Sequence, residues 1–102
     1  MRNNNPINIQ DLKQAICSQE FYEKELGTSI RLRWGKKWGL AGLCPFHADR
    51  FAGSFYVNID SGAYKCHACG AGGGDIISFL QKKHGYLFVE AIKLLNDTWR
   101  FR

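Results

Sequence analysis

The chain lacks any run approaching the roughly 18–20 consecutive apolar residues that a membrane-spanning helix needs, so no such helix is expected. Its first residues, Met1-Arg2-Asn3-Asn4-Asn5-Pro6, hold no apolar stretch of the kind found in secretory leaders, and a cytoplasmic location is the expectation. Proline is scarce, with only Pro6 and Pro45, which excludes a polyproline segment. There is no internal repeat and no low-complexity tract beyond one glycine cluster, Gly70-Ala71-Gly72-Gly73-Gly74. That cluster lacks the lysine and hydroxyl of a nucleotide-binding P-loop and reads as a turn. Acidic residues are also few, 9 against 14 Lys and Arg. Residues 1–30 carry three bases and four acids, whereas residues 31–102 carry eleven bases and five acids. The basic part favours a polyanionic partner, nucleic acid before others.

What remains fits one small domain. At 102 residues with 45% apolar and 14% aromatic content the chain can bury a core, but a modest one. Chains near this size often recruit a disulfide or a metal to offset conformational entropy. In a reducing compartment four cysteines point to metal ligation.

Cys44-Pro45-Phe46-His47 and Cys66-His67-Ala68-Cys69 each place two donors around two intervening residues. That spacing lets a tight turn aim both side chains at one point, and two such turns complete a tetrahedron of three thiolates and one imidazole. The expected ligands of one structural Zn2+ are therefore Cys44, His47, Cys66 and Cys69, with His67 as the alternative imidazole or an exposed neighbour able to bond a phosphate or base. Four protein donors leave no coordination position at which zinc could activate water. Cys17 has no partner at ligand spacing and reads as a small buried hydrophobe beside Ile16.

Around these motifs the pattern alternates between helix and strand. Ile9, Leu12, Ile16 and Phe21 predict one amphipathic helix over about 8–20, with Gly27 ending any helix that runs through Leu26. Ile30 to Trp34 alternates with period two, Gly35-Lys36-Lys37 turns, and Trp38 to Leu43 returns. Ser54–Ile59 and Ala63–Cys66 form a hairpin around Asp60-Ser61-Gly62. Asp75 caps a helix that Gly85 stops, and a last helix over about 88–96 places Val89, Ile92 and Leu95 on one face. The expected organisation is a leader over 1–7, one domain over 8–98 and a tail over 99–102.

With Gly42-Leu43-Cys44-Pro45-Phe46-His47, Ser54-Phe55, Cys66-His67-Ala68-Cys69-Gly70, Gly73-Gly74-Asp75-Ile76-Ile77-Ser78-Phe79-Leu80 and Phe88-Val89-Glu90-Ala91-Ile92, the chain resembles the N-terminal zinc-binding domain of bacterial DnaG-type DNA primases across roughly residues 8–96. The resemblance implies an α+β fold, a small zinc ribbon on an antiparallel β-sheet with flanking helices, and a role in reading single-stranded template. Asp49-Arg50-Phe51-Ala52-Gly53 departs from the Lys-Thr-Pro run that the family usually places before its Ser-Phe pair. No acidic cluster able to hold the magnesium ions of nucleotidyl transfer is present. The expectation is therefore a non-catalytic module without a small-molecule substrate, working with a separately encoded primase, polymerase or helicase on a mobile element.

Single-strand binders pair cations with stacking aromatics. On that ground Arg31, Arg33, Trp34, Lys36, Lys37, Trp38, Arg50, Phe51, Tyr64, Lys65 and His67 are the candidate nucleic-acid contacts. The competing expectations are an adaptor that docks on a replication protein with little DNA affinity, and a fragment or relic of a longer primase.

Overall fold

The computed structural model describes residues 8–48, 50 and 52–99. The expected leader over 1–7, Phe51 and the tail beyond Trp99 lie outside the described residues. Among the described residues, five strands, β1 (Arg31–Leu32), β2 (Trp38–Leu40), β3 (Phe55–Asn58), β4 (Tyr64–Cys66) and β5 (Gly72–Gly73), follow each other across one antiparallel sheet in chain order. Helices α1 (Ile9–Ala15) and α2 (Ser18–Leu26) precede the sheet, and α3 (Ile76–His84) and α4 (Phe88–Thr98) follow it. This is the expected α+β arrangement.

Because side chains alternate along a strand, β3 sends Phe55 and Val57 inward, and β4 sends Tyr64 and Cys66 inward. The helices bury their apolar residues against this one face, in a single core cluster. Phe79 of α3 is its hub, with ring centroids of Phe21, Tyr22, Phe46, Phe55 and Tyr64 at 4.9–6.4 Å. The other face keeps Arg31, Trp38 and Lys65 exposed.

The chain does not form one helix over 8–20. Ile16 and Cys17 both adopt extended backbone and separate α1 from α2. The reason is angular: at about 100° per residue, Phe21 in an unbroken helix would point about 180° from Leu12. Breaking the helix lets Leu12, Phe21 and Tyr22 all reach zero exposure. The break also leaves Cys17 exposed, against the expectation of burial. Asp75 caps α3 as expected, accepting from the Ser78 N–H at 2.8 Å, and Gly85 closes it at φ +73°.

In α4 the inward stripe is Ala91, Ile92 and Leu95. Val89 was expected on that stripe, yet it is 67% exposed beside exposed Leu87 and Phe88, because the first turn of the helix lies clear of the core. Glu90 reaches back to accept from the Leu87 N–H at 2.8 Å and fixes that turn. Trp99 is buried against Phe21, so packing continues one residue past the expected boundary at 98.

Candidate metal centre and nucleic-acid interface

Strands β2 and β4 deliver the two halves of the Cys/His cluster. Cys44 follows β2 through Ala41-Gly42-Leu43, and Cys66 is the last residue of β4. Each half is a tight knuckle in which the leading thiol accepts a backbone N–H: Phe46 donates to Cys44 Sγ at 3.4 Å, and Cys69 donates to Cys66 Sγ at 3.4 Å. Gly70 N–H closes the second knuckle on the Cys66 carbonyl at 2.9 Å.

The hairpin between the halves brings donor atoms of Cys44, His47, Cys66 and Cys69 within 4.8 Å of one another. A tetrahedron with Zn–S bonds of about 2.3 Å has S···S edges of about 3.8 Å. Cys44 Sγ lies 3.8 Å from Cys69 Sγ, and Cys66 Sγ lies 3.9 Å from His47 Nδ1. Donor set and edges therefore fit one tetrahedral zinc with every position filled by protein. His67, the alternative imidazole, instead packs edge-on against Tyr56 with centroids 5.3 Å apart.

The thiols are not equivalent before metal arrives. Burial pushes Cys44 up to about 12, against the pull of the Phe46 N–H. Burial also pushes Cys66 upward, but the N–H groups of Cys69 and Ala68 and the neighbouring thiols outweigh it and leave this thiol more acidic than usual. Cys69 is exposed. Loading zinc must displace the Cys44 proton, which couples metal affinity to pH.

The outer sheet face gathers part of the candidate nucleic-acid set. Direct register partners Arg31, Leu40, Tyr56, Lys65 and Gly72 form one rung across all five strands. One cleft of about 360 Å³ holds Arg31, Arg33, Lys36, Trp38 and Tyr56 in its lining. A second, of about 370 Å³, is lined by Trp38, Tyr56, Lys65 and His67. Trp38 and Tyr56 are common to both. Trp34 sits at the β1–β2 turn and is 99% exposed. Lys37 is exposed and pairs with Asp60 at 2.8 Å, which draws its pKa upward through the hydrogen bond and the attraction of the carboxylate. Arg50 is exposed in the loop before β3 and lines neither cleft.

Tyr64 requires correction. It is 2% exposed on the inner face, with its hydroxyl 3.2 Å from Ser78 Oγ, and cannot belong to an outer platform. Tyr56, which is not among the candidates drawn from the sequence, instead lies on the outer face and lines both clefts. Its signal was parity in β3: if Phe55 and Val57 point inward, Tyr56 must point outward.

The CHC2 zinc finger family matches residues 8–102. Over 83 residues the chain is 43% identical to a DNA primase of Mycolicibacterium smegmatis, an alignment covering 81% of this chain and 13% of that protein. Over 92 residues it is 46% identical to a DNA primase of Clostridium acetobutylicum, covering 89% and 15% respectively. The chain thus spans a small part, about one-seventh, of the curated relatives' length. Its fold is similar to a crystal structure of the Aquifex aeolicus primase comprising zinc-binding and RNA polymerase domains, with a TM-score of 0.71 and 25% identity over 93% of this chain and 22% of that one. The chain belongs to the CHC2 zinc finger family, the zinc ribbon of DnaG-type DNA primases, and carries the structural zinc site of that family.

Proposed function

We propose that zinc bound by Cys44, His47, Cys66 and Cys69 stiffens the sheet so that its outer face grips single-stranded DNA. The observation that carries this reading is the unbroken rung from Arg31 through Tyr56 to Lys65, flanked by Trp38 and by the Arg33 and Lys36 cations. Cations on such a face neutralise phosphates, while aromatic rings stack on unpaired bases at about 1–3 kcal/mol per base. A filled zinc shell contributes no chemistry to nucleotidyl transfer. The module's work is to hold template for primer synthesis by a polymerase core, and a primase, polymerase or helicase is its working partner.

Fluorescence anisotropy with labelled single-stranded and duplex oligonucleotides at two salt concentrations tests the reading. Single strands should bind more tightly than duplex, and affinity should fall as salt rises. Absence of binding to either at low salt removes it.

One observation favours the adaptor reading in addition. Leu87, Phe88 and Val89 are 65%, 47% and 67% exposed at the start of α4, three successive apolar side chains open to a protein partner. If DNA binding fails while a polymerase core or helicase is retained, docking is the main role.

A further inference from the structure

The last helix carries an apolar knob and a hollow on the same side. Leu87, the N-cap of α4, is 65% exposed, and Leu94 follows two turns later along that side. The same side holds a cleft of about 360 Å³ lined by Tyr86, Glu90, Lys93, Leu94, Asp97 and Thr98. The buried stripe of α4, formed by Ala91, Ile92 and Leu95, is turned to the core, so the cleft faces away from it.

Charge along this side alternates in sign. Glu90, Lys93 and Asp97 follow one another about a turn apart as acid, base and acid. Lys93 reaches Asp97 only at 3.9 Å, with side chains 80% and 57% exposed, a pair worth little in water. Glu90 uses Oε1 for the Leu87 N–H, and its second oxygen has no partner among the described residues. A partner surface of one sign would meet repulsion somewhere along this row. A reversed copy of the same helix does not: a two-fold near residues 90–92 sets Glu90 beside the second copy's Lys93, and Lys93 beside its Glu90. The same reversal lays each Leu87 in the other copy's cleft, next to Leu94.

We infer that α4 is the interface of a two-fold homodimer in which Leu87 of each copy fills the cleft of the other. A two-fold interface is self-complementary, because any contact made by one copy is made in return by the second. A knob and a hollow on one helix meet that condition, since a single docking event covers both features on both copies. One helix of 11 residues per copy buries less than the roughly 1,200–2,000 Å² of a stable complex, so the association is weak and follows concentration. The helices cover the inner face of the sheet, and pairing through α4 leaves the outer face of each copy open. The inference is therefore independent of the single-strand reading.

The test is sedimentation velocity of the zinc-loaded protein from micromolar to millimolar concentration. The parent's sedimentation coefficient should rise with concentration toward that of a dimer. Leu87→Ser should raise the dissociation midpoint about 100-fold, about tenfold for each of the two leucines. Serine is a favoured N-cap, so this variant should melt no lower than the parent. Lys93→Glu should weaken pairing by setting acids opposite each other, and Glu90→Lys together with Lys93→Glu in one chain should restore it by exchanging both signs. Zinc content and circular dichroism confirm that each variant is folded. A parent that stays monomeric at every concentration overturns the homodimer and leaves this face to the adaptor reading. A dimer whose midpoint is the same in the parent, Leu87→Ser and Lys93→Glu also overturns it, because the copies then pair elsewhere. Neither result bears on DNA affinity, which anisotropy reads separately.

Discussion

The Tyr22 hydroxyl donates a 2.6 Å hydrogen bond to the Gly62 carbonyl, joining α2 to the β3–β4 turn across 40 positions of sequence. Both partners are buried. The bond anchors the hairpin whose far end delivers Cys66 to the metal centre.

Replacing Tyr22 with Phe leaves that carbonyl buried without its donor. An unsatisfied buried acceptor costs about 1–3 kcal/mol, so Tyr22→Phe should lower the urea midpoint at neutral pH without altering the m-value. The same residue has a pH signature. Burial first, then the neighbouring Tyr64 and Asp75, hold its pKa above the ordinary tyrosine value. Below the unfolded value of about 10, both states are protonated and the stabilisation is fully present. Above it the unfolded chain releases a proton that the folded chain retains, so stability falls by about 1.4 kcal/mol per pH unit. The gap between the parent and Tyr22→Phe should therefore close between about pH 10 and 12. A gap independent of pH would show that the buried hydroxyl does not carry the difference.

Metal removal should have the largest effect. Structural zinc contributes on the order of 10–16 kcal/mol of apparent binding free energy in small peptides, against roughly 5–15 kcal/mol of net stability for a typical domain. Chelation should abolish the near-ultraviolet signal from the aromatic cluster around Phe79, and zinc alone should restore it. Cys66→Ser should do the same at ordinary zinc concentrations, because Cys66 is fully buried and ends the strand that carries the second knuckle. A native spectrum in the metal-free chain would refute the dependence.

Asp75 has two partners at the junction of sheet and helices. It caps α3 through Ser78 and lies 3.2 Å from Lys13 Nζ of α1. Asp75→Ala should cost about 0.5–2 kcal/mol through the lost cap, plus up to about 1 kcal/mol from the partly exposed ion pair. Asp75→Asn should recover most of the cap. Thermal melts of both variants against the parent separate the contributions. Equal melting temperatures for the alanine and asparagine variants would contradict a capping role.

These partners show which kinds of information were legible in the sequence. The ligand spacing, the Asp75 cap and the β3–β4 hairpin are local patterns, and the fold uses them as the residues suggest. The helix break was hidden because periodicity from Ile9 to Ile16 is genuine, while Phe21 belongs to a second helix with a different orientation. Tyr64 was ambiguous as a strand aromatic, yet it shares parity with Cys66. A ligand turned toward a buried centre turns the residue two positions earlier to the same side. The glycine cluster suggests only a turn, yet Gly72 and Gly73 pair with Lys65 and Tyr64 as an edge strand. Glycine hides strand character because it carries no alternating side chains.

The glycine strand supplies its own internal control. A Cβ on Gly73 would run into Ser78 Oγ and come within 2.7 Å of the Tyr64 ring, whereas one on Gly74 would meet nothing within 4 Å. Gly73→Ala should destabilise by about 1–3 kcal/mol through overpacking, and Gly74→Ala should be close to neutral. Chemical denaturation of both variants checks this. A tolerant Gly73 would mean that β5 moves away from α3 easily and does not brace the zinc knuckle.

Charge on the outer face should be readable as a salt slope. For single strands, log Kobs falls against log salt with a slope of about −0.7 per phosphate neutralised. Arg31 and Lys65 lie on the same rung, separated by β2 and β3, so each can meet a different phosphate. Arg31→Gln and Lys65→Gln should each reduce the slope by about 0.7, and the double variant by about 1.4, if each removes one phosphate contact. Lys37 is already paired with Asp60 at the rim, so Lys37→Gln should alter the slope less than either. Equal slopes for all three single variants would place the strand along the β1–β2 turn and the sheet alike, and would remove the Arg31-to-Lys65 rung as its main track.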